Sequence, residues 1–198
     1  HMAGHVAAVN ARPTSAAAQR SFVASTGLDA NPCSLPQPCR SFAAAMAQTL
    51  PGGEVVILDS AGYGPVSIDK SVSIIAPPGV YGGISVASGN GVAITGTALK
   101  VVLRGLSING VGGNNGIYVG ATDSEVHIDD VTVSGMSGPG INASAGASTR
   151  VYVANATLRS NGGQGVYVSN GTRVLLDRAR IEENGSSGIF LYETGEAW

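Results

Sequence analysis

The second half of the chain repeats itself, and that repeat limits the fold more than any local motif. Four segments align: "VVLRGLSINGVGGNNGIYV" from Val101, "VHIDDVTVSGMSGPGINA" from Val126, "VYVANATLRSNGGQGVYV" from Val151 and "VLLDRARIEENGSSGIFL" from Val174. Their starts lie 25, 25 and 23 residues apart. Each unit holds three short runs in which apolar residues alternate with others, the period of a β-strand. Leu103, Ile128, Val153 and Leu176 take equivalent places. So do Ile108, Val133, Leu158 and Ile181, and again Ile117, Ile141, Val166 and Ile189. A unit of 20 to 30 residues with three strands cannot bury its apolar face alone, so its copies must stack as a parallel β-helix. Less regular runs between 55 and 95 extend the count to five or six coils between Glu54 and Thr194.

A meander of β-hairpins is the rival, because Asn-Gly pairs recur at 90, 109, 115, 161, 170 and 184. Hairpin pairing leaves the column-by-column match of whole units unexplained. In the solenoid, the same Asn and Gly residues are expected at corners that need positive φ.

Composition agrees with such a fold. Charged residues are 12% of the 198, about half the usual share, and 29 are glycine. Helical bundles and coiled coils need far more Lys, Glu, Arg and Leu. A net charge of −2 gives no electrostatic ground for nucleic acid as a partner. No apolar run approaches the eighteen residues of a membrane span, so a soluble chain is expected.

The chain divides into three parts. Residues 1–20 read as a tag remnant (His1-Met2) and a flexible tether rich in Ala, Ser and Thr. Residues 21–53 hold a strand, a loop with the only two cysteines, and a capping helix; 54–198 are the coils. Cys33 and Cys39, with five residues between them in "NPCSLPQPC", read as a disulfide and so imply an oxidising compartment. No further ligand type crowds that loop to suggest a metal site. Phe42, Met46 and Leu50 at i, i+4 and i+8 mark one face of a short amphipathic helix, stopped by Pro51-Gly52-Gly53. It is placed to cover the open end of the first coil, against Val55 and Ile57.

The stretch "SFVASTGLDANPCSLPQPCRSFAAAMAQTLPGGEVVILDSAGYGP" resembles the opening of bacterial right-handed parallel β-helix proteins of the pectin-lyase-like superfamily. Gly27, Asp29, Ala30, Asn31, Pro32, Pro51, Gly52, Gly53, Val55, Ile57, Gly62 and Tyr63 carry the resemblance. It implies a right-handed coil in an exported protein: secreted, on the cell surface or periplasmic. Members include polysaccharide lyases and hydrolases as well as proteins without known activity. Lyases of the superfamily use calcium held by carboxylates together with a basic Lys or Arg. Neither Lys70 nor Lys100 has a run of acidic residues around it, so no family catalytic residue carries over, and no cofactor is expected.

Chemistry would have to lie on outward columns. One corner runs Arg104, Asp129, Ala154, Asp177, and its neighbour Gly105, Asp130, Asn155, Arg178. Asp129 and Asp177, two rungs or roughly 10 Å apart, are the candidate acid and base of a hydrolase or lyase, with Arg104 to hold an acidic sugar. A solvated corner of alternating charge explains the same residues, as it does Arg159 over Glu182. A second candidate is aromatic: Tyr118, Asn142, Tyr167 and Phe190 align, and His127 aligns with Tyr152. Rings spaced along a rigid surface suit stacking on sugars; equally, they cover neighbouring coils or meet another subunit. Four Asn-X-Ser/Thr sites (Asn142, Asn155, Asn170, Asn184) are what an Asn-rich composition yields by chance. The last coil closes near Tyr192 with six residues to follow, too few for a cap. Its strand Ile189 to Tyr192 is therefore a candidate for self-association, unless the chain is part of a longer one.

The first functional reading is an exported, non-catalytic β-helix module presenting a rigid surface for carbohydrate binding, adhesion or self-association. The second is a polysaccharide lyase or glycoside hydrolase. The third is a structural segment of a larger secreted protein.

Overall fold

The computed structural model describes residues 17–193 and 196–198. The tag remnant and most of the tether lie outside these. The described chain begins with a strand, Ala18–Val23, whose first residues fall inside the stretch read as tether.

Every ladder between strands is parallel, which excludes the hairpin meander. The strands form three sheets of eight, six and six. In the third coil, Lys100–Arg104 lies in the first sheet (I), Leu106–Gly110 in the second (II) and Asn115–Val119 in the third (III). The chain passes through I, II and III in order six times, the first passage rudimentary because its strand in sheet II is only Ala61–Gly62.

The expected columns are present. Val55, Ile74, Leu103, Ile128, Val153 and Leu176 pair in succession in sheet I. Ile84, Ile108, Val133, Leu158 and Ile181 do so in sheet II. Val66, Val92, Ile117, Ile141, Val166 and Ile189 do so in sheet III. Nearly all these side chains are fully buried, each roofed by the next rung about 4.8 Å away. Ile189, on the last rung, is 43% exposed.

Asn and Gly do not act as expected. Of the six Asn-Gly pairs only Asn170-Gly171 has positive φ (56° and 75°). The others sit in or beside strands, where Asn side chains bond from rung to rung and glycine leaves room for the next coil. A Cβ on Gly116 would come within 2.2 Å of Val133 Cγ1, and one on Gly91 within 2.6 Å of Ile108 Cγ2. One positive-φ corner lies between sheets I and II, at Gly105, Asp130, Asn155 and Arg178, and a second directly follows sheet II, at Gly135, Ser160 and Glu183.

The helix spans Phe42–Gln48, with Ser41 as N-cap accepting from Ala44 N. Leu50 falls in the following strand, Thr49–Ile57: Thr49 is the C-cap with extended backbone, and Leu50 precedes Pro51, whose ring disfavours helical backbone in the residue before it. Lys70 Nζ donates to Met46 O at 2.6 Å. Phe42, Ala45 and Met46 are buried, and the helix packs on the strands Ala18–Val23, Thr49–Ile57 and Val66–Ile68. It therefore closes the first coil. Cys33 and Cys39 form a disulfide.

The opening motif is the clamp that holds this cap. Asp29 Oδ1 accepts from Arg40 N and Ser41 N, and Oδ2 from the Ser41 hydroxyl. Burial pushes the Asp29 carboxyl up, but the Ser41 hydroxyl and these backbone donors outweigh it and hold it below its ordinary value. Tyr63 is buried against Phe42, with Arg40 over its ring at 5.6 Å, and its phenol donates to Asp59. The Ser25 hydroxyl and then the Tyr63 phenol lower Asp59, whereas burial, with Asp59 beside it, raises Tyr63.

The chain end also differs from expectation. Glu196–Ala197 is a strand that pairs with Arg173–Asp177, and Leu176 N donates to Trp198 O at 2.9 Å. The last residues thus start a further rung of sheet I.

Candidate functional site

The corner charges form one connected chain. Arg104 Nε donates to Asp129 Oδ2 at 3.1 Å, and Asn155 Nδ2 donates to Asp129 Oδ1 at 2.9 Å. Arg178 Nε then donates to Asn155 Oδ1 at 2.8 Å, and the same guanidinium pairs with Asp177 at 2.7 Å. The register places Arg104, Asp129, Ala154 and Asp177 on successive rungs, as expected. Both Asp129 oxygens are occupied by neighbours. Asp177 stands two rungs away, roughly 10 Å by strand spacing, and is half exposed beside Arg178. Arg159 does pair with Glu182 across the ladder, but the Glu182 carboxylate bonds Arg180 at 2.7 Å instead.

On sheet III, Tyr118, Asn142, Tyr167 and Phe190 stand in one column. Tyr167 and Phe190 stack with centroids 5.7 Å apart and planes 17° from parallel. Asn142 separates them from Tyr118; its amide bonds Asn115 and the Ser144 hydroxyl. No long loop borders the face from Val72 onward, where no connection between strands exceeds six residues, as at 135–140; at its first rungs the helix and Val66, Ser67 and Asn90 line a hollow.

His127 and Tyr152 belong to a different surface, the outside of sheet I. They stack at 4.7 Å and 14°, so the two aligned columns of candidate residues lie on two different faces. His127 Nε2 lies 2.7 Å from Glu125 Oε1. That contact, with the nearby charges of His127, Lys100 and Arg150, holds the Glu125 carboxyl below its ordinary value against a smaller effect of burial. Lys100, Glu125, Arg150 and Arg173 form a column beside the rings. A cleft of about 150 Å³ opens next to it, lined by Arg150, Val151, Tyr152, Arg173, Leu175 and Trp198.

A family model described as a right-handed β-helix region matches residues 83–197. The chain belongs to this right-handed β-helix family. No match was found among curated proteins. The β-helix resembles the crystal structure of pectate lyase Pel9A with a TM-score of 0.71 and 19% identity, over 90% of this chain and 51% of that one. It resembles a rhamnogalacturonan lyase with a TM-score of 0.53 and 12% identity, over 90% and 62%. At these identities the likeness is one of fold. The chain spans half to three fifths of the length of these structures.

The calcium chemistry of superfamily lyases does not fit the residues of this β-helix. Among the described residues no three His, Cys, Asp or Glu side chains gather to hold a metal, and the one aligned carboxylate with two engaged oxygens bonds Arg104 and Asn155. Among them, too, no helix is long and apolar enough to cross a membrane. Arg150, Arg173 and Trp198 escaped the sequence reading. Lys100, Glu125, Arg150 and Arg173 each stand one position before the aligned segments, so extending the repeat by one residue would have shown the charge column.

Proposed function

We propose that this chain is an exported, non-catalytic β-helix module that displays a rigid surface to carbohydrate. The observation that carries the reading is the sheet III column, where Tyr167 and Phe190 form a ring pair on a face bordered by short connections. Rings stacked on one another turn their edges outward, so a glycan would meet ring edges and the Tyr167 hydroxyl along the column and a ring face only at its ends. Rungs fixed by backbone bonding pre-organise these groups at little entropic cost. Catalysis needs converging groups in a concave site. The corner carboxylates are instead tied to their neighbours by hydrogen bonds. Export is supported by the Cys33–Cys39 disulfide. The two similar structures, named as a pectate lyase and a rhamnogalacturonan lyase, make pectate and rhamnogalacturonan the first glycans to try.

The test is Tyr167→Ala, with Tyr118→Ala beside it, in affinity electrophoresis through gels containing pectin, rhamnogalacturonan or neutral glycans. Retardation of the wild type that falls about three- to tenfold in Tyr167→Ala supports the reading, the loss of one ring contact. Unchanged retardation removes sheet III as the binding face.

The alternative is a polysaccharide lyase or glycoside hydrolase using Asp129, Asp177 and Arg104, favoured by their shared column. Cleavage that survives both Asp129→Asn and Asp177→Asn removes that site. A third reading, self-association, is supported by the exposed rung where Ile189, Phe190, Leu191 and Tyr192 are each 40–49% accessible. A second copy would stack there. Light scattering that finds a strict monomer at high concentration excludes the second copy.

A further inference from the structure

The outside of sheet I carries a feature that glycan display on sheet III does not use. His127 and Tyr152 begin a stack of rings along the coil axis. On the next rung the register puts Leu175, and above it Trp198, which follows Ala197 in its pairing with Val174. A short aliphatic side chain therefore lies between two rings two rungs apart. The result is the cleft of about 150 Å³ with Tyr152 and Trp198 at its ends and Leu175 as its floor.

We infer that this notch binds a single planar aromatic ring bearing a carboxylate. Three observations carry the assignment. The cleft, well under the 300 Å³ from which drug-sized pockets begin, has room for a single ring. A flat ring over Leu175 would sit about 4.8 Å from the rungs on either side. That is within the 4.5–7 Å at which ring pairs attract, and His127 and Tyr152 already stand 4.7 Å apart. The mouth is cationic: Arg150 and Arg173 line it, with Lys100 further along the same column. The acidic side chain described in that column, Glu125, is already bonded to His127. Arg150, which lines the notch beside Tyr152, is the cation that meets the carboxylate. A guanidinium takes a carboxylate in two parallel hydrogen bonds, which fixes the ring's orientation as well as its charge.

The site is separate from the sheet III rings, so either can fail while the other stands. The test uses the whole chain and benzoate as probe. Trp198 is the only tryptophan, so its fluorescence reports the notch directly. A saturable change with benzoate is expected, with little response to benzyl alcohol. Arg150→Gln should weaken benzoate roughly tenfold, the loss of a charge-assisted hydrogen bond. Leu175→Phe fills the notch at a surface position and should abolish the effect while the circular dichroism stays that of wild type. An equal response to benzyl alcohol, benzoate binding unchanged in Arg150→Gln, or no saturable change would each overturn the inference. Saturation by glucuronate in place of benzoate would also overturn it, since the occupant would then be a sugar acid.

Discussion

Asn161 and Asn184 occupy the same place on successive rungs, and the Asn161 amide Nδ2 donates to Asn184 Oδ1 at 3.0 Å. Asn161 Oδ1 in turn accepts from Met136 N, and Asn184 Nδ2 donates to Leu158 O. Asn161 is buried, and its amide serves turn backbone that no strand reaches. Asn161→Ala should therefore lower stability by about 1–3 kcal/mol by leaving a buried donor without a partner. Urea denaturation checks this. A double-mutant cycle with Asn184→Ala should show coupling of about 0.5–3 kcal/mol, as for residues sharing one network.

The apolar columns should weaken towards the open end. Leu103 is fully buried between Ile74 and Ile128, whereas Leu176 is only partly buried on the last full rung of sheet I. Leu103→Ala should cost about 2–5 kcal/mol and Leu176→Ala clearly less. Chemical denaturation of both variants measures the difference, and equal losses would contradict the stacking order.

Acid should act first on the cap. Asp29 and Asp59 both titrate below their ordinary value of 3.8 in the folded chain. Groups shifted down contribute stability above their unfolded pKa and lose it as pH falls through the folded one. The melting temperature should thus drop as pH falls below about 4. Asp29→Asn or Asp59→Asn should flatten that dependence. Tyr63, shifted up from 10.0, works in the opposite sense, its contribution fading as pH rises beyond that value.

Glycine between coils is a spacing device at Gly116. Its φ is ordinary, so a side chain is barred only by the Val133 Cγ1 and Gly140 O of the next rung. Gly116→Ala should destabilise by about 1–3 kcal/mol through overpacking, and the smaller Val133→Ala should partly rescue it. A thermal melt of the single and double variants decides.

The solenoid was readable because one alternating pattern recurs: Leu103, Ile128, Val153 and Leu176 must all face inward, and only stacking lets them do so. The same pattern gave the Arg104–Asp129–Asp177 corner and the Tyr118–Phe190 column. It could not tell what each outward residue bonds. Asn155 closing over Asp129 depends on a positive φ of 52° and on side-chain reach, neither visible in spacing. Nor could it say that His127 and Tyr167 face different ways, because two faces share one period. The Asn-Gly pairs misled because local turn preference gave way to rung-to-rung amide bonding, as between Asn90 and Asn115 at 2.7 Å. The strand Glu196–Ala197 was hidden because two residues carry no period.

Incubating the intact chain with a panel of acidic and neutral polysaccharides, and scoring retention and bond cleavage on the same samples, tests the display reading most directly. Retention by at least one glycan with neither new reducing ends nor unsaturated products is the expected result. Turnover that disappears in Asp129→Asn, or retention by none of the panel, would contradict it.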